Sequence, residues 1–135
     1  MIGLDTNVLV RYLMQDDPAQ ARAAARLIER AADEGAACWI GAIVLCELVW
    51  VLESGYEVPK DAIVETLEKI FLTRQFRIED PDSAWAALEA YRRTGADFSD
   101  CLLGRHNSRS GCDYTATFDR ALRALPEFRI LTEPG

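Results

Sequence analysis

The sequence predicts an α/β fold, a three-layer α/β/α sandwich around a central parallel sheet of four to five strands. Three observations carry that expectation. Short apolar runs of strand length alternate with longer stretches of helical periodicity. Several helical stretches open or close on recognisable cap chemistry. No internal repeat or low-complexity segment breaks the pattern. Strands separated by helices form a parallel sheet with helices on both faces, and ligands then gather outside the carboxyl ends of the strands.

The elements follow in order. Ile2 to Leu4 reads as a short buried strand, and a brief helix runs from about Asn7 to Leu13. "QDDPAQARAAARLIERAADEG" starts a helix with Asp17 as N-cap and Pro18 at the first helical position, and Gly35 ends it. "ACWIG" is a second strand that feeds the apolar helix "AIVLCELVWVLES", which stops near Gly55. Pro59 opens another helix, running through about Leu72. "FRIED" is the third strand, and Asp80-Pro81 repeats the cap-plus-proline start for a helix ending near Gly95. A helix from about Phe98 to Arg109 precedes a fourth strand, "DYTATFD". The short helix "RALRAL" and a last strand, "FRILT", complete the sheet.

At 135 residues the chain has the size of one domain, taken as residues 1–135, and it buries enough surface to fold without metal or disulfide. Cys38, Cys46, Cys101 and Cys112 form no C-x-x-C pair and sit in or beside apolar stretches, which reads as reduced core cysteine. No signal-peptide pattern precedes the first strand, and no apolar run approaches the ~20 residues of a membrane span. The expectation is a soluble, cytoplasmic protein with no membrane partner.

The net charge of -7 excludes strong nonspecific binding through a broad basic patch. It is unevenly spread: residues 1–73 carry 6 basic and 12 acidic side chains, residues 74–135 carry 9 and 10. Arginine outnumbers lysine 13 to 2, which suits planar contacts to carboxylate or phosphate. Arg22, Arg26 and Arg30 recur at helical spacing and read as a solvated stripe. Arg120, next to Asp119, is the best placed for substrate.

The acids carry the chemistry. Asp5 ends the first strand, where a helix cap and a ligand are both open readings. Asp119 ends the fourth. Glu47 lies inside "AIVLCELVWVL", in a helix apolar all round and therefore expected to be buried. A carboxylate there requires a buried arginine, a raised pKa or a metal ion, unless one edge of the helix is wet. "GADFSDCLLG" adds Asp97, equally an N-cap, and Asp100, inside the first turn. Carboxylates from distant segments that share a site need cations, and hard oxygen ligands select Mg²⁺ or Mn²⁺. His106, six residues beyond Asp100, reads as surface or structural. Trp39, Trp50 and Trp85 read as core or interface.

"LDTNVLVRYL", the lone Glu47 in "IVLCELVWVL", "ADFSD" and "TFDRAL" stand in this order along the chain. Together they resemble the PIN-domain ribonucleases, in particular the VapC-type toxins of bacterial toxin–antitoxin pairs. The likeness runs from residue 2 to about residue 131. It implies a compact domain with acids clustered at one end of a parallel sheet, Mg²⁺- or Mn²⁺-dependent RNA cleavage, inhibition by a cognate antitoxin protein, and a homodimer. By position, it implies that Asp5 and Asp100 are metal ligands, with Glu47 next, Asp119 completing the quartet and Asp97 auxiliary. Thr6 and Asn7 are supports, and Thr117 is expected to hydrogen-bond a water on the metal. The helix of Glu47 begins at Gly41-Ala42, where relatives often carry a hydroxyl residue, so its capping is in question.

The expected reaction is attack of a metal-activated water at phosphorus, and the resemblance implies products with a 5′-phosphate and a 3′-hydroxyl. Two alternatives remain at this level. One is a phosphatase with Asp5 as nucleophile, although Asn7 stands where such enzymes place a second Asp. The other is a PIN-fold binding module without activity.

Overall fold

A computed structural model gives the fold and describes residues 1–132. The elements are β1 (Ile2–Gly3), α1 (Thr6–Met14), α2 (Pro18–Asp33), β2 (Cys38–Ile40), α3 (Ala42–Ser54), α4 (Lys60–Leu72), β3 (Phe76–Ile78), α5 (Pro81–Arg93), α6 (Phe98–Arg109), β4 (Thr115–Thr117), a 3-10 turn (Arg120–Ala124) and β5 (Phe128–Ile130). The chain divides into two compact units, Met1–Asp80 and Pro81–Gly135. Alternation of strand and helix is as expected, and every strand pairing is parallel. The alternation says nothing of which strands pair. Hydrogen bonding arranges the five as two ladders, three strands in the first unit and two in the second.

In the first unit β2 is central, with Ile2 opposite Cys38 on one side and Cys38 opposite Phe76 on the other. Its inward residues Cys38 and Ile40 are fully buried. Parallel neighbours need long crossovers, and the helix pairs α1–α2 and α3–α4 supply them. The carboxyl ends of all three strands therefore share one edge, where Asp5, Gly41 and Glu79 follow β1, β2 and β3.

The helix signals hold where cap chemistry is local. Asp17 Oδ1 accepts the Gln20 amide at 3.1 Å, with Pro18 in the first turn. Ala21, Ala24, Ile28 and Ala31 form the buried face of α2, and small side chains there let it lie close to α1. Gly35 takes φ of +68°, the left-handed conformation that ends a helix at least cost in glycine. In α4 the buried positions Ile63, Val64, Leu67 and Ile70 keep the helical period.

Three expectations need correction. Helix α3 is apolar in composition but not buried all round: Ile43 is 75 % and Trp50 is 67 % exposed, and Glu47 lies exposed between them. These positions recur at helical spacing, so they form one open face opposite the buried Leu45, Leu48, Val49 and Leu52. Trp50 on that face is exposed, as is Trp85 on α5, so the core arm of the core-or-interface reading does not hold for these two, while Trp39 is half-buried. Asp80 does not adopt the extended backbone of an N-cap, since its φ is +47°. Cys112 is exposed, unlike the buried Cys38 and Cys101, because it follows Gly111 in the turn after α6.

In the second unit α5 packs against α6, with Tyr91 and Phe98 meeting edge to face at 6.0 Å. Strands β4 and β5 pair Thr115 with Phe128 and Thr117 with Ile130. Leu122 and Leu125 bury the intervening turn, which is 3-10 rather than α-helical. Gly104 admits Phe128 against α6: a Cβ there would stand 2.7 Å from Cε2 of the ring. Among the described residues no helix is long and apolar enough to cross a membrane.

Candidate active site

The first unit joins Asp5 to Glu47 through one residue. Asp5 is the N-cap of α1 and its Oδ1 accepts the Thr6 amide at 2.7 Å. Thr6, only 6 % exposed, donates its hydroxyl to Glu47 Oε2 at 3.0 Å. The cap and the site are therefore the same residue: Asp5 does both, and Thr6 orients Asp5 with its amide and Glu47 with its hydroxyl. Asp5 Oδ2 and Glu47 Oε1 have no hydrogen-bond partner among the described residues. Both carboxylates line a cleft of about 460 Å³, together with Asn7, Arg11 and Tyr56. That volume lies within the roughly 300–1,000 Å³ typical of ligand clefts. Glu47 needs no buried counter-charge, because it stands on the open face of α3.

Three residues at this edge carried no usable signal in the sequence. Glu79, just past β3, accepts the Ala42 amide on its Oε1 at 3.2 Å, and so supplies the cap that Gly41 lacks. The partners are 37 residues apart, beyond any local pattern. Arg11 and Tyr56 line the cleft, although Arg11 stands within a motif whose acid drew the attention.

The second unit holds the other acids. Asp97 occupies the N-cap position of α6 without a side-chain capping bond, so the simple cap reading fails for its carboxylate. Asp100 is half-buried in the first turn. Burial foremost, then the charges of Asp97 and Asp119, hold its carboxyl above the usual carboxylate value. Asp119 caps the 3-10 turn, with Oδ1 accepting the Ala121 amide at 2.9 Å. Thr117 Oγ1 accepts the Asp119 amide at 3.0 Å, which fixes the backbone that aims Asp119. Arg120 follows, fully at the surface. His106 is half-buried on α6, and Arg22, Arg26 and Arg30 are all exposed on α2, as a solvated stripe should be.

Within each unit the oxygen donors suit a hard divalent cation: in the first, Asp5 and Glu47 each keep an oxygen available, and in the second, Asp100 bears like-charge repulsion from Asp97 and Asp119 that a cation relieves. Among the described residues no three His, Cys, Asp or Glu side chains form a ready cage. Mg²⁺ requires none, since it commonly takes one or two carboxylates and keeps several waters.

The PIN domain family model matches residues 2–127. The chain belongs to the PIN domain family. It is also similar to the VapC ribonuclease of Aquifex aeolicus (strain VF5), with 26% identity over 122 residues, 90% of this chain and 90% of the relative. No solved structure gives a significant match.

Proposed function

We propose that this chain is a metal-dependent endoribonuclease and the toxin of a toxin–antitoxin pair. The observation that carries the reading is the Asp5–Thr6–Glu47 linkage at the carboxyl edge of the first ladder, in a chain that the PIN model matches over residues 2–127. Asp5, Glu47, Asp100 and Asp119 are the metal-binding and catalytic carboxylates in this reading, with Asp97 auxiliary, and residues 1–135 act as one domain. The 26% identical VapC ribonuclease supports RNA as the substrate class.

A bound Mg²⁺ or Mn²⁺ supplies an activated water and neutralises charge on the phosphoryl and leaving oxygens. The protein's own residues prepare for it. Thr6 holds one oxygen of Asp5 and one of Glu47, so each carboxylate offers its other oxygen without rotamer search. Burial first, and then the charges of Asp97 and Asp119, disfavour the Asp100 carboxylate, and a cation beside it relieves that. Thr117 fixes Asp119, Asn7 supports the turn that follows Asp5, and Arg120 contacts RNA. A cognate antitoxin, a homodimer and a cytoplasmic location complete the proposal.

The test is RNA cleavage by the purified full chain with Mg²⁺ or Mn²⁺ and with excess EDTA. Cleavage is expected only with metal, leaving 5′-phosphate ends, and Asp5→Asn or Asp100→Asn is expected to abolish it while the fold survives. Cleavage that persists in EDTA would overturn the metal mechanism, and a protein that turns over only small phosphomonoesters would overturn the nuclease.

A further inference from the structure

An acidic chain with an acidic cleft must still hold a polyanion. Arg11 is the cation among the residues lining the cleft of Asp5 and Glu47. Its guanidinium is held from three segments. Nε donates to Gln20 Oε1 on α2 at 2.7 Å, and Nη1 donates to Asp16 Oδ1 and to the Tyr56 hydroxyl, both at 3.2 Å. The Tyr56 hydroxyl in turn donates to Asp16 Oδ2 at 2.6 Å. Asp16 follows α1 and Tyr56 follows α3, so the array ties both helices that bear the cleft's acids.

The donor count decides what this array is for. A guanidinium has five N–H groups, and these three contacts use the one on Nε and both on Nη1. The two on Nη2 have no partner among the described residues. An arginine serving only an ion pair would give Asp16 a bidentate fork. Here the carboxylate divides itself, with one oxygen to Arg11 and the other to Tyr56. Two of the three groups around Arg11 are neutral, so its charge is oriented more than it is cancelled. The side chain keeps 32% of its surface exposed. An ordered, partly solvated guanidinium with an unused pair of donors, in a cleft with two carboxylates, matches the oxygens of a phosphodiester.

We propose that Arg11 binds a phosphate of the RNA strand beside the scissile one, and that Asp16, Gln20 and Tyr56 hold it ready to do so. This rests on the ribonuclease reading. Order in place before binding lowers the entropic cost of fixing a long side chain, and one cation held in place offsets the local repulsion of the strand by Asp5 and Glu47.

The experiment is steady-state cleavage of a single-stranded RNA oligonucleotide by the full chain at several salt concentrations. Arg11→Gln is expected to raise KM roughly tenfold, the loss of one charge-assisted contact, and to change kcat much less. The slope of log(1/KM) against log[salt] is expected to become shallower by about 0.7, one phosphate contact on a single strand. A purely structural role would lower the melting temperature without moving that slope. Arg11→Lys keeps the charge, so it retains the slope while KM rises; it decides the matter if Arg11→Gln does not fold. Wild-type KM and slope in Arg11→Gln, or wild-type KM in Arg11→Lys, overturns the role of Arg11 and leaves the nuclease standing. A wild-type protein that cuts no RNA overturns both.

Discussion

Replacing Asp100 with Asn is expected to stabilise the metal-free protein while removing its activity. The half-buried Asp100 carboxylate is disfavoured by burial and by the charges of Asp97 and Asp119. The Asp97 charge, a turn away at the start of α6, costs about 0.2–0.5 kcal/mol, and burial and the Asp119 charge add to it. The α6 dipole opposes them with about 0.3–1 kcal/mol in favour of the charge. The carboxyl is held above its usual value, so the unfavourable effects win. Discounted for solvent screening, the net gain on removing the charge is about 0.5 kcal/mol, or roughly 2 °C in melting temperature for a domain of this size. The sign with pH follows. A raised carboxyl pKa means the wild type is relatively most stable below the ordinary value, and that stability is lost as pH rises through the raised pKa. The advantage of the variant is therefore full at neutral pH and vanishes as acid protonates Asp100. Added Mg²⁺ reverses the order: at tenfold excess over its dissociation constant it stabilises the wild type by about 1.4 kcal/mol, and the variant loses that gain. Circular-dichroism melts in EDTA and in Mg²⁺, at neutral and acid pH, measure all of this. A variant less stable than wild type in EDTA at neutral pH, or a gap unchanged by acid, would refute the reasoning.

Other outcomes test the supports of the site. Thr6→Val keeps the buried shape and removes the hydroxyl from Glu47; activity is expected to fall about 10–100-fold, with a higher Mg²⁺ requirement in a metal titration. Glu47 is exposed and can be solvated instead, so unfolding free energy changes by less than about 1 kcal/mol. Glu79→Ala removes the cap of α3 and is expected to cost about 1 kcal/mol in urea denaturation with an unchanged slope. Gly104→Ala forces a methyl against Phe128 and is expected to cost about 1–3 kcal/mol, read by the same titration.

Much of the fold was legible because its signals are local. Asp17-Pro18 and Gly35 bracket α2 within the span of a single helix. Alternating strand and helix signals imply parallel pairing because only a crossover returns the chain in the same direction. The local positions of the acids were legible, since Asp5 and Asp119 each follow a strand and Asp97 and Asp100 open a helix. Asp80-Pro81 misled, because Asp80 itself is left-handed, whereas Asp17 in the same dipeptide is extended.

The sequence by itself determined the class of fold, the order of its elements and the family. Tertiary structure alone decided what each carboxylate is tied to. The apolar composition of α3 hides an open face, because composition does not say which side of a helix meets the core. The bond from Thr6 to Glu47 spans 41 residues and that from Glu79 to the Ala42 amide spans 37. Arg11 meets Tyr56 across 45. A hydrogen bond needs its partners within about 3 Å, and only the pairing of strands and packing of helices brings residues so distant in the chain to that range.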